Sequence, residues 1–365
     1  MKRICFFLGG FYQNGGIGRI TSMIANDLIK TKDYEVIALC YCDTKQPNIY
    51  DLSSEIRQLY FLGTYSNMTK QLILGGIGRL RRFLVDNNID VLIACGALFY
   101  PISVVACKGI STKCICWEHS DPEGNNDHRG QALARKFGIK RSDLNVVLTK
   151  RALKVFSEKY GSKNTIQIYN PIDDNLIKNV GKYKSTSHKI ISVGRLSYQK
   201  NFEAAIDVAS IVLKNHPDWT WDIYWKGDEK DKLQTLIDER GLSNQMFLCG
   251  QVTDLYERYN DYSIMVMTSR YEGFPMSLLE ALGNGLPIVS FDVPTGPDEI
   301  IEDGINGFLI KPFEIESMAS KMSVLMDNEK NRTDFSSSAI NKSKDFSQRE
   351  ILNEWSKALC QLFQV

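Results

Sequence analysis

Short apolar runs alternate with amphipathic stretches of helical length along most of this chain, and that alternation limits the fold more than any other feature. The runs at 3–9, 34–42 and 91–95 are almost entirely apolar, without the in-and-out pattern of a half-exposed strand. Such runs are typical of strands that are buried on both faces, as in a parallel sheet covered by helices. The sequence therefore predicts an α/β fold with doubly wound parallel sheets.

One polar segment interrupts this alternation. Residues 170–188 contain Pro171, lack periodicity and separate two series of apolar runs. A chain of 365 residues also exceeds the usual size of one domain. We therefore predict two doubly wound domains, at 1–169 and 189–346, joined by a linker at 170–188. Ligands of such folds bind at the carboxyl ends of the strands, so we expect the site in a cleft between the two domains.

Composition excludes several classes of protein. With 43% hydrophobic and 24% charged residues, the chain is not disordered as a whole. Its nine cysteines lie in apolar runs without a Cys-x-x-Cys pair, which predicts buried free thiols in a reducing, cytoplasmic compartment.

The uncharged stretch 91–107 is barely long enough to cross a membrane, and Gly96 and Pro101 divide it. We interpret it as a strand, a turn and a short helix.

The formal charge is distributed unevenly. Residues 1–168 carry a net charge of +9, and the remainder of the chain carries −8. Two interpretations fit this asymmetry: one face meets an anionic partner, or two oppositely charged surfaces attract each other. The sequence alone leaves both open.

Two carboxylates flank a predicted helix start in the segment SRYEGFPMSLLE at 269–280. Glu272 lies on the loop before the helix, and Glu280 lies about a turn and a half inside it. Pro275 suits the first turn of a helix. The first amides of such a helix have no helical acceptor and form an anion site. A nucleotide-sugar fits both features, because its diphosphate is anionic and its hydroxyl groups donate to carboxylates. The amides concerned are those of Phe274, Met276 and Ser277.

Two cations follow the first predicted strand of the second domain, in the segment SVGRLSYQKN at 192–201. Arg195 and Lys200 are five residues apart on one loop, so both can converge on a diphosphate, which Arg can bind bidentately. Taken alone, such a pair is more often a surface loop with two solvated cations. Together with the two glutamates, it favours a nucleotide-sugar site.

A glycine-rich loop follows the first strand of the chain, with Gly15, Gly16 and Gly18 before the first helix, which we predict from about residue 18. Glycines at this place let the backbone approach a phosphate. A dinucleotide-binding fingerprint is the alternative, although position 21 is Thr where the third glycine is needed. In that alternative Asp43, after the second strand, is the candidate ribose ligand.

A histidine lies directly after another predicted strand, in the segment WEHS. His119 is expected to face the cleft because of this position. Its neighbour Glu118 is a candidate either to orient the imidazole or to act as the functional carboxylate itself. A lone histidine is more often structural, but the position after a strand end favours function here.

These segments, in this order, resemble the motifs of the family 4 retaining glycosyltransferases. EGFPMSLLE is similar to their Glu-x7-Glu motif, GRLSYQKN to their diphosphate motif, GGIGR to their glycine-rich loop, and WEHS to the segment with their first-domain histidine. The segment at 292–310 further resembles the subset that builds bacterial surface polysaccharides, such as O-antigen and capsule, and N-glycan precursors. The resemblance spans essentially the whole chain. It implies the GT-B fold, with two Rossmann-like domains facing across a cleft and a final helix at about 347–365 that crosses back to the first domain.

The resemblance also implies a role for each motif residue. Glu280 would bind the ribose of the nucleotide, and Arg195 and Lys200 would neutralise the departing diphosphate. Glu272, with the backbone amides of residues 273–277, would hold the donor sugar.

The remaining implied contacts come from other loops. His119 would bond the donor sugar near its 6-hydroxyl group, and Gly16 would lie against the diphosphate. Gly250 and Val252 fall where the family binds the base. The implied donor-site residues are therefore Gly16, His119, Arg195, Lys200, Gly250, Val252, Glu272, Gly273, Phe274, Pro275, Met276, Ser277 and Glu280.

The implied reaction moves a hexose or N-acetylhexosamine from a nucleotide-sugar donor to a saccharide acceptor with retention of configuration. In the front-face mechanism proposed for the family, the acceptor attacks from the leaving-group side and a donor phosphate oxygen takes its proton. UDP is the expected nucleotide, with GDP as the alternative. No Asp-x-Asp triplet occurs, so neither a metal nor another cofactor is expected. A glycosidase that uses the two glutamates, a dinucleotide-dependent oxidoreductase and a non-catalytic nucleotide- or sugar-binding protein stay as alternatives.

The acceptors of the polysaccharide subset are usually lipid-diphosphate-linked sugars at the cytoplasmic membrane. A basic first domain fits an anionic membrane surface, which attracts lysine and arginine, and no nucleic-acid partner is expected. We therefore expect a cytoplasmic protein that binds the inner face of the membrane peripherally. The basic residues on or near two predicted helices are Arg79, Arg81, Arg82, Arg135, Lys136, Lys140 and Arg141.

Overall fold

The computed structural model describes residues 1–12, 15–43, 45–62, 75–123, 129–177 and 183–363. The chain divides into two compact units. One unit comprises Met1–Asn170 together with Gln348–Val365, and the other comprises Pro171–Ser347. None of the described helices is long and apolar enough to cross a membrane.

The first unit is built on a parallel sheet. Its described strands are β1 (Lys2–Leu8), β2 (Tyr34–Cys42), β3 (Arg57–Leu62), β4 (Val91–Cys95), β5 (Lys113–Trp117), β6 (Leu144–Val147) and β7 (Thr165–Gln167). Their order in the sheet is β3-β2-β1-β4-β5-β6-β7, and every pair is parallel. All of β4 and the last five residues of β1 are buried, because both faces of these strands are covered, as their uninterrupted apolar runs predicted.

Helices connect these strands. They are α1 (Gly16–Lys30), α2 (Gly76–Asp86), α3 (Tyr100–Cys107), α4 (Arg129–Ile139) and α5 (Lys150–Glu158). The uncharged stretch 91–107 forms β4, a 3-10 turn at Ala97–Phe99 and α3, which confirms the predicted strand, turn and short helix. The predicted start of α1 near residue 18 is too late, because the helix begins at Gly16. Gly16 therefore lies in the first helical turn and not in the loop.

The second unit contains a second parallel sheet. Its described strands are β8 (Lys189–Val193), β9 (Thr220–Tyr224), β10 (Met246–Gly250), β11 (Ile264–Met267), β12 (Ile288–Phe291) and β13 (Gly307–Ile310). Its described helices are α6 (Asp174–Ile177), α7 (Phe202–Asn215), α8 (Lys230–Glu239), α9 (Leu255–Arg258), α10 (Met276–Gly283), α11 (Pro297–Ile300), α12 (Ile315–Asp327) and α13 (Glu329–Ser343). The two sheets with their helices confirm the predicted doubly wound α/β fold.

The strand order of the second unit reverses between β8 and β11. The sheet order is β10-β9-β8-β11-β12-β13, so the chain first runs outward from β8 and then returns to its other side. The loops that follow two such strands lead in opposite directions and leave a crevice at the carboxyl ends, where α/β folds bind ligands. In the first unit the same reversal lies between β1 and β4.

The predicted linker at 170–188 is part of the second unit from Pro171 onward. α6 lies within it, and Tyr183 Oη donates a hydrogen bond to the carbonyl oxygen of Ser263 at 3.0 Å. Residues 178–182 lie outside the described residues. The described part of this segment is therefore folded into the second unit, with Ile172 and Leu176 buried.

The last helix, α14 (Gln348–Phe363), belongs to the first unit. Trp355 is buried and meets the ring of Trp117 edge to face, with ring centroids 4.8 Å apart. At the start of the helix, Gln348 Nε2 donates a hydrogen bond to Asp27 Oδ2 at 2.7 Å. The chain therefore leaves the first unit, builds the second, and returns to complete the first.

Candidate functional site

A mostly buried ion pair joins the loops that follow β8 and β11 at the switch point of the second unit. Lys200 Nζ lies 2.6 Å from Glu272 Oε1, and the two side chains are 18% and 7% exposed. Ser269 Oγ donates a hydrogen bond to the same carboxylate oxygen at 2.6 Å. The structure therefore brings two predicted site residues into direct contact and adds a third residue that the sequence analysis missed.

Hydrogen bonds between the two loops fix the surroundings of this ion pair. The amide of Arg270 donates to the carbonyl oxygen of Gln199 at 2.8 Å, and Gln199 Nε2 donates to the carbonyl oxygen of Tyr271 at 3.1 Å. Thr268 Oγ1 donates to the carbonyl oxygen of Asn201 at 3.0 Å. Because these contacts hold the backbone on both sides, the ion pair does not depend on two flexible side chains alone.

Gly194 makes room for the lysine within the loop after β8, here called the cation loop (residues 194–201). A Cβ atom at Gly194 would lie 2.9 Å from both Cδ and Cε of Lys200, which is closer than real contacts allow. The Gly194 amide donates to the carbonyl oxygen of Tyr224 at 3.0 Å, so its backbone is tied to β9. Any larger residue at 194 must therefore displace the lysine side chain.

Arg195 lies on the cation loop and is exposed. Within the described ranges its guanidinium group forms no hydrogen bond and no ion pair. The cation loop thus carries one paired cation, Lys200, and one cation that faces solvent without a partner.

The first turn of α10 contains polar groups that lack partners. The amides of Leu278 and Leu279 both donate to the carbonyl oxygen of Pro275. In the part of the chain that the structure describes, the Ser277 amide has no acceptor, and Ser277 Oγ is buried without a hydrogen-bond partner. Unsatisfied donors at a helix N-terminus attract anions.

The segment after β12 holds the loop before α10. Thr295 Oγ1 donates to the carbonyl oxygen of Gly273 at 2.6 Å, and the Thr295 amide donates to that of Glu272 at 3.2 Å. Gly296 follows with a φ of +103°, and a Cβ atom there would lie 2.8 Å from Pro275 Cδ. Only glycine combines this conformation with so close an approach. The backbone of the predicted sugar-binding segment is therefore rigidly supported.

Glu280 lies inside α10 and is buried. Its Oε2 accepts a hydrogen bond from Tyr259 Oη at 2.7 Å. Tyr259 is fully buried in the 3-10 turn before β11. A carboxylate removed from water needs such donors, because desolvation destabilises its charge.

The predicted base-binding segment lies at the end of β10. Gly250 has a φ of +72°, and its carbonyl oxygen accepts a hydrogen bond from the Trp225 amide at 2.8 Å. Val252 follows and is half-buried. Between β9 and the cation loop, the Leu196 amide donates to the carbonyl oxygen of Lys226 at 3.2 Å. Backbone hydrogen bonds thus join the carboxyl ends of β8, β9 and β10.

His119 follows β5 in the first unit. Its ring lies 4.3 Å from the ring of Trp117, and its Nε2 is buried with no hydrogen-bond partner among the described residues. Burial lowers the pKa of His119 to about 3, because the charged imidazolium form is desolvated. The imidazole is therefore neutral near pH 7.

Glu118, a candidate either to orient the imidazole or to act as the functional carboxylate, belongs to a buried network, which favours the supporting role. Its Oε2 lies 2.6 Å from Arg135 Nε, and Ser120 Oγ donates to its Oε1 at 2.7 Å. The side chains of Glu118 and Arg135 are 1% and 0% exposed, because Tyr100 and the surrounding core enclose them. This network fixes the loop that carries His119. It also removes Arg135 from the predicted basic surface.

Tyr50 holds the glycine-rich loop of the first unit. The Gly15 amide donates to Tyr50 Oη at 2.9 Å. A Cβ atom at Gly18 would lie 3.2 Å from the carbonyl oxygen of Gly10, so packing favours glycine there. At Gly16 an added Cβ would meet nothing within 4 Å. Packing therefore does not explain Gly16, and its contact with a diphosphate stays a prediction.

Comparison with known families decides between the alternatives that the sequence left open. Residues 153–342, just over half of the chain, match the family described as glycosyl transferases group 1. The chain belongs to this family. Residues 14–176 also match the description glycosyltransferase family 4. The chain is therefore a transferase enzyme, and the oxidoreductase, glycosidase and non-catalytic alternatives are set aside.

This group 1 glycosyltransferase has several bacterial relatives. An uncharacterized glycosyltransferase of Haemophilus influenzae is 26% identical over 355 residues, which cover 97% of this chain and 99% of the relative. The amylovoran biosynthesis glycosyltransferase AmsD of Erwinia amylovora is 25% identical over 366 residues, with 98% and 100% covered. The poly(glycerol-phosphate) alpha-glucosyltransferase of Bacillus subtilis is 28% identical over 251 residues, which cover 68% of this chain but 37% of that protein. The chain is thus related to bacterial polysaccharide glycosyltransferases.

Solved structures share the fold of this group 1 glycosyltransferase. A variant of TarM from S. aureus, in complex with Fondaparinux, alpha-GlcNAc-glycerol and UDP, gives a TM-score of 0.82 at 17% identity, with 98% of this chain and 99% of the other covered. Anabaena Alr3699/HepE, in complex with UDP and glucose, gives 0.80 at 18% identity, with 98% and 99% covered. These likenesses confirm the GT-B fold.

The motifs pointed to the residues of the candidate site but not to those that support them in the structure. Ser269, Gly194, Thr295 and Tyr259 were missed. Ser269 and Gly194 follow β11 and β8 closely, and this position near a strand end was a usable signal. Phe274, in contrast, was predicted for its amide alone, and its ring is buried 6.0 Å from another phenylalanine ring.

Proposed function

We propose that this glycosyltransferase moves a hexose or N-acetylhexosamine from a UDP-linked donor to a saccharide acceptor, with retention of the anomeric configuration. The observation that carries the proposal is the Lys200–Glu272 ion pair at the switch point, in which Lys200 shares the cation loop with the exposed Arg195. Cations and helix amides at such a point are suited to a diphosphate. Carboxylates nearby suit the hydroxyl groups of a sugar and a ribose, the roles proposed for Glu272 and Glu280.

The two cations start from different states. Arg195 can bind the diphosphate bidentately without losing a partner, whereas Lys200 already contacts Glu272. We propose that Lys200 bridges the carboxylate and a phosphate oxygen once the donor is bound, because an ammonium group has three donors. In this arrangement the ammonium charge of Lys200 already lies beside the diphosphate before the reaction starts. In the first unit, His119 and Gly16 keep their predicted roles at the donor sugar and the diphosphate.

The costly step is the departure of the diphosphate. The bond between the anomeric carbon and the phosphate oxygen breaks, and negative charge grows on the leaving group. The acceptor oxygen forms its bond to the anomeric carbon on the same face, and its proton passes to a phosphate oxygen. Fixed cations and amides that bind this growing charge lower the barrier, since they bind the transition state more strongly than the donor. In this proposal no side-chain base and no metal are needed.

The relatives support the donor and product classes. The B. subtilis relative is named an alpha-glucosyltransferase, and the TarM and HepE structures hold UDP. Retention would give an alpha-linked product from the usual alpha-linked UDP-sugars. We extend these properties to this chain as part of the proposal.

Thermal-shift measurements with UDP, GDP, ADP, NAD and NADP, each with and without EDTA, test the donor class. We expect stabilisation by UDP that survives EDTA, followed by UDP release from UDP-glucose, UDP-galactose or their N-acetyl forms. Product stereochemistry by NMR then tests retention. Lys200→Met should abolish UDP release, while Lys214→Met at the exposed end of α7 serves as a control for charge removal. Stabilisation by GDP alone, or loss of UDP binding in EDTA, would contradict the donor or the metal-free proposal.

We also propose that the protein binds an anionic membrane surface, where it meets a lipid-diphosphate-linked acceptor. α4 carries two exposed apolar side chains, Leu133 at 68% and Phe137 at 36% exposure. Lys136, Lys140 and Arg141 lie beside them in sequence and are exposed. Apolar side chains next to cations suit the interface of an anionic bilayer.

Sedimentation with vesicles tests the membrane proposal. The protein should pellet with vesicles rich in anionic lipid at low salt and be released at high salt. Leu133→Glu should weaken pelleting, and Ile211→Glu, at a 39% exposed position on α7, is the matched control. Pelleting that ignores both lipid charge and salt would refute this proposal.

A further inference from the structure

One tryptophan in the second unit has a backbone conformation that suits glycine. Trp225 follows β9 directly and has a φ of +126°. The other non-glycine residues with positive φ in the described ranges lie between 48° and 70°, in the ordinary left-handed region. Bulky residues outside that region are strained, and such strain persists only where the surroundings enforce it.

Backbone contacts on both sides enforce the conformation of Trp225. Its amide donates to the carbonyl oxygen of Gly250 at 2.8 Å. The carbonyl oxygens of its two neighbours, Tyr224 and Lys226, accept hydrogen bonds from the amides of Gly194 and Leu196 at 3.0 and 3.2 Å. Trp225 thus lies between the cation loop and the β10 end.

Neither a ring contact nor a side-chain hydrogen bond within the described structure explains why this residue is tryptophan. In the described structure, the half-buried Trp225 indole has no ring partner, and its N–H has no acceptor. Two tryptophans close to it in the sequence are buried and have partners. Trp221 is buried and donates to Ser192 Oγ at 3.0 Å, and the buried Trp219 stacks on His188 with ring centroids 4.9 Å apart. Glycine at 225 would remove the strain, so an indole at this position points to a partner that the chain itself does not supply.

We propose that the Trp225 indole stacks on the base of the nucleotide donor. This inference rests on the proposed function, in which the diphosphate binds the cation loop. Adjacent strands are about 4.8 Å apart, so Trp225 lies one strand spacing from that loop and one from Gly250. A nucleotide that binds its phosphates at the cation loop extends its base over this distance. Every base has a planar face that an aromatic ring can cover. The indole therefore supplies affinity for the base, and polar backbone groups near Gly250 are left to distinguish one base from another.

Calorimetric titration of the full chain with UDP and with inorganic diphosphate tests the inference. Trp225→Ala should weaken UDP binding by about 10- to 100-fold, the range for loss of a base stack, and leave diphosphate binding unchanged. Trp225→Phe should stay within about threefold of the wild type, because it keeps an aromatic face. Phe247→Ala removes a different aromatic ring, which is 39% exposed on the edge strand β10, and should change neither UDP binding nor diphosphate binding.

Trp225→Gly separates binding from structure. It should lose UDP affinity as Trp225→Ala does, yet raise the melting temperature, because glycine adopts the observed φ without strain. Unchanged UDP affinity in Trp225→Ala would refute the stack, and equal loss of UDP and diphosphate binding would show a merely structural role. If the wild-type chain binds diphosphate but neither UDP nor GDP more tightly, the proposed function fails instead.

Discussion

Substitution of Gly194 by alanine tests how the cation loop places its lysine. The added Cβ would lie 2.9 Å from Cδ and Cε of Lys200 and 3.0 Å from its Cγ. Carbon atoms at rest are about 3.5–4.0 Å apart, so the lysine methylenes must retreat by about 0.5–1 Å. The Gly194 amide keeps its bond to Tyr224, and the atoms that move belong to a flexible side chain. The substitution should therefore disturb the site and spare the fold.

The size of the effect follows from that displacement. Lys200 Nζ now lies 2.6 Å from Glu272 Oε1, and the proposed diphosphate contact needs similar accuracy. A misplacement of about 1 Å can reduce a catalysed rate by about 100-fold. We expect Gly194→Ala to lower kcat by about 10- to 100-fold, which is about 1.4–2.7 kcal/mol of transition-state stabilisation. The free energy of unfolding should change by less than about 0.5 kcal/mol.

UDP release from the UDP-sugar that the wild type accepts gives kcat and KM, and thermal unfolding gives stability. Gly78→Ala is the matched control, because a Cβ there meets nothing within 4 Å. A Gly194→Ala variant that keeps the wild-type kcat would refute the steric reasoning. A variant that unfolds early would show that the backbone, not the lysine, gives way.

Three further predictions concern buried groups. Arg135→Met leaves buried Glu118 without its ion-pair partner and should lower the free energy of unfolding in urea by about 3–5 kcal/mol. The double variant with Glu118→Gln should recover much of this loss. Equal losses in the single and the double variant would contradict the pairing. Tyr259→Phe removes a donor from buried Glu280 and should lower stability by about 1–3 kcal/mol and weaken UDP binding; no change in either would exclude a role for this bond. Burial depresses the folded-state pKa of His119 to about 3, below its ordinary value near 6.5. Stability should therefore fall as the pH drops from 6.5 toward 3, by up to about 1.4 kcal/mol per pH unit, and His119→Asn should flatten this dependence in urea titrations at several pH values.

The sequence predicted the sheets well because their strands are buried on both faces. Continuous apolar runs such as 91–95 have few alternatives once helices flank them. Helix starts were less certain, since α1 begins at Gly16, where glycine has little intrinsic preference for a helix.

The sequence motifs named the residues of the candidate site but did not predict which of them pair with each other. Lys200 and Glu272 both follow strands, but they are in contact only because β8 lies next to β11 in the sheet. The local sequence does not determine the order of strands in a sheet. The buried ion pair of Glu118 and Arg135 could not be predicted from the sequence either. Both types of residue are usually exposed, and only the tertiary fold brings the two together in the core.

The return of α14 to the first unit has a consequence for synthesis on the ribosome. Pro171–Ser347 is one continuous piece, whereas the first unit is assembled from both ends of the chain. Trp117 therefore cannot meet Trp355 until that whole piece has been translated, which takes roughly 10–35 s at about 5–20 residues per second. A nascent chain that stops just short of α14 leaves exposed the core of the half that was made first.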